Sequence, residues 1–201
     1  MTHSAHIIGG MNNKNGMCGF AASVYMAAAK DPSRMPTAAQ GSLIIRTIVE
    51  IGYFLQDLKS RNRKLFDEIQ AFTRTCGEIY KNFDLDDFIL LCNRAPNFTE
   101  SNVMSFDVGM TPDAVAAYLE YAWDIEATTE RVLYSSNTSR NCILGLCEKS
   151  KSAKYGQMYG GLAHWVYRHN GRIYSYGRSY DSIAAFNQAE GTRYYIGWVV
   201  G

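Results

Sequence analysis

The feature that most limits the fold is a change in hydrophobic periodicity along the chain. From Cys18 to about Lys30, Phe20, Ala21, Val24, Tyr25 and Ala28 fall on one helical stripe, as in a buried central helix, and Asp31-Pro32-Ser33 ends it. A second helical region opens at Pro36-Thr37, with Leu43, Ile44, Ile48, Ile51, Phe54 and Leu55 at helical intervals. After a polar break near 59–62, Leu65, Ile69 and Phe72 continue that spacing towards Cys76. Leu85 to Leu91 predicts a further short helix, with Asp86 and Asp87 as first-turn charges rather than a catalytic pair. Thr111-Pro112-Asp113 reads as an N-cap with proline at N1, opening a helix through Ala114, Val115, Ala117, Tyr118 and Tyr121. Then the pattern changes. Arg131 to Tyr134, Asn141 to Cys147, Ala163 to Tyr167, Arg172 to Tyr176 and Tyr194 to Val200 predict strands, and Val103 to Phe106 is an earlier short candidate. Helices first and strands later is the order of an α+β domain. With 201 residues, 47% of them apolar, the chain buries one sizeable core and reads as a single domain, 1–201.

Within that frame one cysteine is unusually placed. In Asn12-Asn13-Lys14-Asn15-Gly16-Met17-Cys18-Gly19-Phe20 a polar, glycine-flanked turn runs into the apolar helix, so Cys18 stands at its first turn. Unpaired backbone N–H groups and the positive end of the helix dipole there favour thiolate over thiol. Gly16 and Gly19 keep bulk off both sides of the sulfur. The plainer reading is a small buried apolar residue.

The far end supplies a partner. Gly160 to Gly177 reads as a β-hairpin with Asn170-Gly171 as its two-residue turn, and His164 stands at the start of the first strand. His169 lies beside the turn and is expected in solvent, on the opposite face from His164. The loop from Glu148 to Tyr159, rich in Lys, Ser and Gly, precedes His164 and is placed to border a cleft.

A cysteine on a helix N-terminus, followed well over a hundred residues later by a histidine on a strand, resembles the papain-like cysteine hydrolase superfamily. Within it the chain looks most like compact bacterial effector and toxin peptidases, amidases and deamidases. The resemblance rests on residues 12–29 and 160–200. It implies an α+β, papain-like fold with the nucleophile on the central helix of an N-terminal helical part and the histidine on a C-terminal antiparallel sheet. It also implies Cys18 as nucleophile and His164 as acid–base, cleaving a peptide bond or side-chain amide through a thioester. The Cys18 backbone N–H would be one oxyanion donor. Relatives take the second from a glutamine about six residues before the cysteine, a position held here by Asn12, with Asn13 and Asn15 as rivals. They orient the imidazole with an Asn or Asp, which Arg172 to Gly177 lacks. Ser175, just before Tyr176-Gly177, and Asp181 beyond it are then equal candidates. The implied partners are a protein or peptide substrate and a cognate inhibitor or immunity protein.

Other features narrow the classes. Twenty Lys plus Arg against 19 Asp plus Glu leave a net charge of +1, so nothing argues for nucleic acid or an anionic membrane. Five cysteines, Cys18, Cys76, Cys92, Cys142 and Cys147, show no paired spacing, which argues against a disulfide framework and for a reducing compartment. Only four histidines, His3, His6, His164 and His169, accompany them without a Cys-x-x-Cys, so neither a zinc site nor any cofactor is expected. No apolar run approaches a membrane span, and residues 1–17 read as an irregular arm without a signal-peptide pattern. A soluble protein made in the cytoplasm is expected, with any export independent of a conventional signal.

Three alternatives share these residues. A non-catalytic binding module would keep the fold, with the missing Asn or Asp as its sign of decay. A transglutaminase or acyltransferase would pass the same thioester to an amine. An oxidoreductase would need a resolving cysteine near Cys18, and the next in sequence is Cys76.

Overall fold

The computed structural model describes residues 1–11, 16–36, 40–97, 107–133, 140–148 and 158–201. Among them are seven α-helices and one six-stranded antiparallel sheet, the mixed α+β class that the periodicity predicts. The helices are α1 (His3–Gly10), α2 (Cys18–Lys30), α3 (Gln40–Arg61), α4 (Arg63–Thr75), α5 (Leu85–Arg94), α6 (Pro112–Trp123) and α7 (Ile183–Glu190). The strands are β1 (Thr129–Arg131), β2 (Cys142–Cys147), β3 (Leu162–His169), β4 (Arg172–Ser175), β5 (Arg178–Tyr180) and β6 (Tyr195–Val200), ordered β1-β6-β2-β3-β4-β5.

Helix α2 is apolar all round, and residues Gly19 to Ala28 are all buried. A helix with no polar face must be covered on every side. It packs against α1, α6 and β3, and so becomes the axis on which helices and sheet meet. The helix starts follow local capping chemistry. Asn62 Oδ1 accepts from Leu65 N–H at 3.2 Å, so the polar break between α3 and α4 is a cap. Asp84 caps α5 through the N–H groups of Asp86 and Asp87, at 2.8 and 3.2 Å. Thr111 Oγ1 caps α6 at Ala114 N–H, with Pro112 at the first helical position.

Three regions depart from the sequence expectation. Residues 3–10 form a helix rather than an irregular arm: Thr2 Oγ1 accepts from Ala5 N–H, and Ala5 and Ile8 bury against α2. Its two glycines give it weak intrinsic propensity, and tertiary packing overrides that. Beyond Gly177 the chain adds β5 and then α7, capped by Ser182 at its start and ended by Gly191. The first strand is Thr129–Arg131, shorter than and shifted from the expected 131–134. The candidate strand at 103–106 lies outside the described residues, as does 149–157 of the loop before His164.

The sheet is covered on both faces. Strand β2, buried throughout, runs between β3 and β6. Ile143, Cys147, Trp165, Tyr167 and Val200 point towards α2 and the main core. Leu144, Leu146, Val166, Ile173 and Val199 point the other way, into a second core closed by Phe186 of α7. Asn170 and Gly171 turn β3 into β4 with φ of +49° and +81°, as a type I′ hairpin requires. No helix among the described residues is long and apolar enough to cross a membrane.

Candidate active site

Cys18 is the first residue of α2, and Met17 at the N-cap accepts no side-chain hydrogen bond. The thiol is half-buried. Gly19 owes its small size to packing: a Cβ there would lie 2.6 Å from Met110 Cβ. That close approach brings residues 107–110 against the start of α2. Gly109 N–H donates to Thr73 Oγ1 of α4 at 2.9 Å, and Trp165 Nε1 of β3 donates to Met110 O at 2.9 Å. The segment thus bridges helices and sheet, and it walls a cleft of about 180 Å³. Cys18 and His164 both line this cleft, together with Cys76, Tyr80, Asp107 and Leu162.

His164 is the third residue of β3 and only 4% exposed. Its Nε2 lies 2.9 Å from Ser175 Oγ, itself 4% exposed at the end of β4. In the tautomer protonated at Nε2, that N–H donates to the hydroxyl, which commits this nitrogen. The ring is held by stacking. Tyr176 lies 4.9 Å away at 21°, Phe186 5.6 Å at 8°, and Tyr194 6.2 Å at 21°. Burial first, and then the nearby Cys18 thiol, push the Tyr176 hydroxyl well above its ordinary range. Tyr194 is raised by burial, then by Glu148 and Cys18. Tyr176 and Tyr194 thus stack on the histidine and lie within electrostatic reach of the cysteine.

The turn that carries this support is itself anchored. Tyr176 has φ of +52°, a conformation that costs a non-glycine residue about 1 kcal/mol or more. Gly177 follows at +72°, and a Cβ there would lie 2.9 Å from the carbonyl oxygen of His6. The His6 Nδ1 is 3.1 Å from Gly177 O, so α1 clamps the turn behind Ser175. Burial lowers the His6 pKa below its ordinary value.

Of the two candidates for orienting His164, Ser175 is the one at the ring. Asp181 stands on the surface, 85% exposed in its side chain, with Oδ1 3.3 Å from Arg172 Nη2. It follows β5 on the outer edge of the sheet, and this corrects the equal weighting of the two. Asn12, Asn13 and Asn15 lie outside the described residues. His169 is half-buried at the hairpin end rather than in solvent, with Nδ1 3.3 Å from Tyr167 Oη. The Asp86 carboxylate pairs with Lys59 Nζ at 2.8 Å, remote from the cleft lining.

Thiol environment separates the cysteines. Burial pushes Cys92 up to about 12 and Cys147 up to about 11, as expected of core thiols. Cys142 is also buried, whereas Cys76 is exposed. Among the described residues no group of three or more His, Cys, Asp or Glu is arranged to hold a metal.

Sequence reasoning did not find Asp107 or Phe186 as neighbours of the site. Asp107 carries no local signal, because the residue it meets, Gly16, is 91 positions away in the sequence. Phe186 reaches His164 through α7, whose start at Ser182 and stop at Gly191 were the available cues. Comparison of the chain with protein-family models, with curated proteins and with solved structures finds no match.

Proposed function

We propose that the protein is a papain-like cysteine hydrolase that cleaves an amide bond, either a peptide bond or a side-chain amide. One observation carries the reading: Cys18, at the start of the buried helix, and His164, held at Nε2 by Ser175 Oγ at 2.9 Å, line the same cleft. With Nε2 committed to serine, proton exchange with the thiol runs through Nδ1. The arrangement of an apolar helix packed on an antiparallel sheet, one bearing the sulfur and the other the imidazole, supports the papain-like form of the fold.

The chemistry follows from these positions. Proton transfer from Cys18 to His164 gives a thiolate–imidazolium pair, favoured by the positive end of α2. The thiolate attacks the amide carbon, and the oxyanion that forms takes a hydrogen bond from the Cys18 backbone N–H. His164 protonates the departing amine, leaving a thioester. Water activated by the same imidazole then releases the acid. Ser175 and the stacked rings of Tyr176, Phe186 and Tyr194 keep the imidazole plane fixed through both steps.

Incubation with a peptide mixture, read by mass spectrometry for new termini and for deamidated glutamine, tests the reading. Hydrolysis that is lost in both Cys18→Ala and His164→Ala is the expected result. Turnover that survives either substitution contradicts it. A thiol–disulfide exchange reading has one observation behind it, since Cys76 lines the cleft with Cys18. A Cys18–Cys76 disulfide in mildly oxidised protein, together with absent hydrolysis, would favour that alternative.

A further inference from the structure

The cleft carries a charge that amide hydrolysis does not require. Asp107 lies in its wall, and its carboxylate and the N–H of its neighbour Val108 each make a hydrogen bond to Gly16. Gly16 N–H donates to Asp107 Oδ1, and Val108 N–H donates to Gly16 O at 3.4 Å. Gly16 is two positions before Cys18, so the carboxylate moves with the turn that delivers the sulfur. Tyr80 stands in the same wall. Its hydroxyl is raised far above its ordinary range, by burial first and then by the charge of Asp107.

A carboxylate offers about four lone-pair positions, and Gly16 N–H takes one of them. Among the described lining residues there is no lysine or arginine, and the remainder is largely apolar, including Phe72, Val108, Leu162 and Trp165.

Resting on the hydrolase reading, we infer that Asp107 makes this cleft selective for a substrate with an arginine or lysine side chain beside the scissile amide, and makes it reject an acidic one. A basic side chain matches both halves of the lining. Its methylene stem covers apolar surface while its head meets the carboxylate, and a guanidinium makes two parallel hydrogen bonds to such a group. An acidic side chain in the same place sets like charges together in a partly desolvated cleft.

The test uses the full chain and four dipeptidyl vinyl sulfones that differ only in the residue next to the reactive group: arginine, glutamine, leucine or glutamate. The rate of Cys18 modification is followed by intact mass and peptide mapping. The arginine probe is expected to react at least roughly tenfold faster than the glutamate probe, because like-charge juxtaposition is costly. That ratio is expected to shrink as salt is raised from low to physiological strength and beyond. In Asp107→Asn, whose amide oxygen still accepts from Gly16, it is expected to collapse towards one. The salt series keeps the test open should that variant fail to fold. Modification of Cys18 at equal rates by all four probes overturns the inference and leaves the hydrolase reading standing. A ratio unchanged in Asp107→Asn, or insensitive to salt, overturns it as well. Failure of every probe to modify Cys18 removes the hydrolase reading, and this inference with it.

Discussion

The two faces of the sheet are both apolar and both covered by helix, but they bury different things. In the helical core behind the inner face, rings of α2, α3 and α6 meet edge to face: Phe20 on Tyr118 at 4.8 Å and 87°, and Phe54 on Tyr118 at 5.2 Å and 70°. That is the ordinary geometry of interlocking aromatic side chains in a core. On the outer face the rings of Phe186, Tyr176 and Tyr194 lie nearly parallel to a buried imidazole, which is hydrogen-bonded to a buried hydroxyl. That core also satisfies polar atoms, for Tyr118 Oη donates to Glu50 Oε1 at 2.6 Å and Trp165 Nε1 donates to Met110 O at 2.9 Å. What distinguishes the outer face is that stacking and a hydrogen bond together fix the plane of an ionisable ring, a feature the proposed hydrolase would use.

That contrast can be sharpened by substitution. The largest effect is expected for His164→Ala, a loss of about 10²–10⁴-fold in amide hydrolysis, the usual contribution of a general acid–base group. Its fold should survive, as judged by circular dichroism. Phe54→Ala on the inner side is expected to do the reverse. It should cost about 3–5 kcal/mol in urea unfolding, as large-to-small core substitutions do, while the alkylation rate of Cys18 in the remaining folded protein stays unchanged. If Phe54→Ala silences the site and leaves stability intact, the division between the faces is wrong.

A smaller effect is expected for Ser175→Ala. The hydroxyl partner of Nε2 is lost in a buried place, costing about 1–3 kcal/mol of stability. Hydrolysis should fall about tenfold, the equivalent of roughly 1.4 kcal/mol in the barrier. Asp181→Ala should change neither quantity measurably, because an exposed ion pair such as that with Arg172 contributes about 0–1 kcal/mol. The smallest effect concerns His6, whose half-buried ring resists protonation. Its folded pKa lies below the unfolded value of 6.5, so its contribution to stability is present above pH 6.5 and is lost as pH falls through the lower, folded value. Unfolding midpoints measured downward from neutral pH should therefore drop, and less so in His6→Gln.

Much of this layout was legible in the sequence where a physical rule is local. Thr111-Pro112 announced α6, the stripe from Phe20 to Ala28 announced a buried helix, and Asn170-Gly171 announced the hairpin. Each depends on residues a few positions apart. Helix α1 was missed because its stability comes from α2 rather than from its own glycine-containing sequence. The choice between Ser175 and Asp181 was decidable in part. Ile173 and Ser175 are two apart on β4 and share a face, and Ile173 packs in the same second core that receives the His164 ring. Asp107 was not legible at all, since nothing near residue 107 points to residue 16.

The central claim is that Cys18 is activated by His164 rather than merely accessible, and Cys76 provides the control. Both thiols line the cleft, and Cys76 is the more exposed. The decisive measurement is the rate of iodoacetamide modification of each cysteine in native protein at pH 6, in the wild type and in His164→Ala. The expected result is modification of Cys18 at least about tenfold faster than Cys76, falling to the Cys76 rate in the variant, since an ordinary thiol is scarcely ionised at that pH. Faster modification of Cys76, or a Cys18 rate indifferent to the loss of His164, would contradict the account.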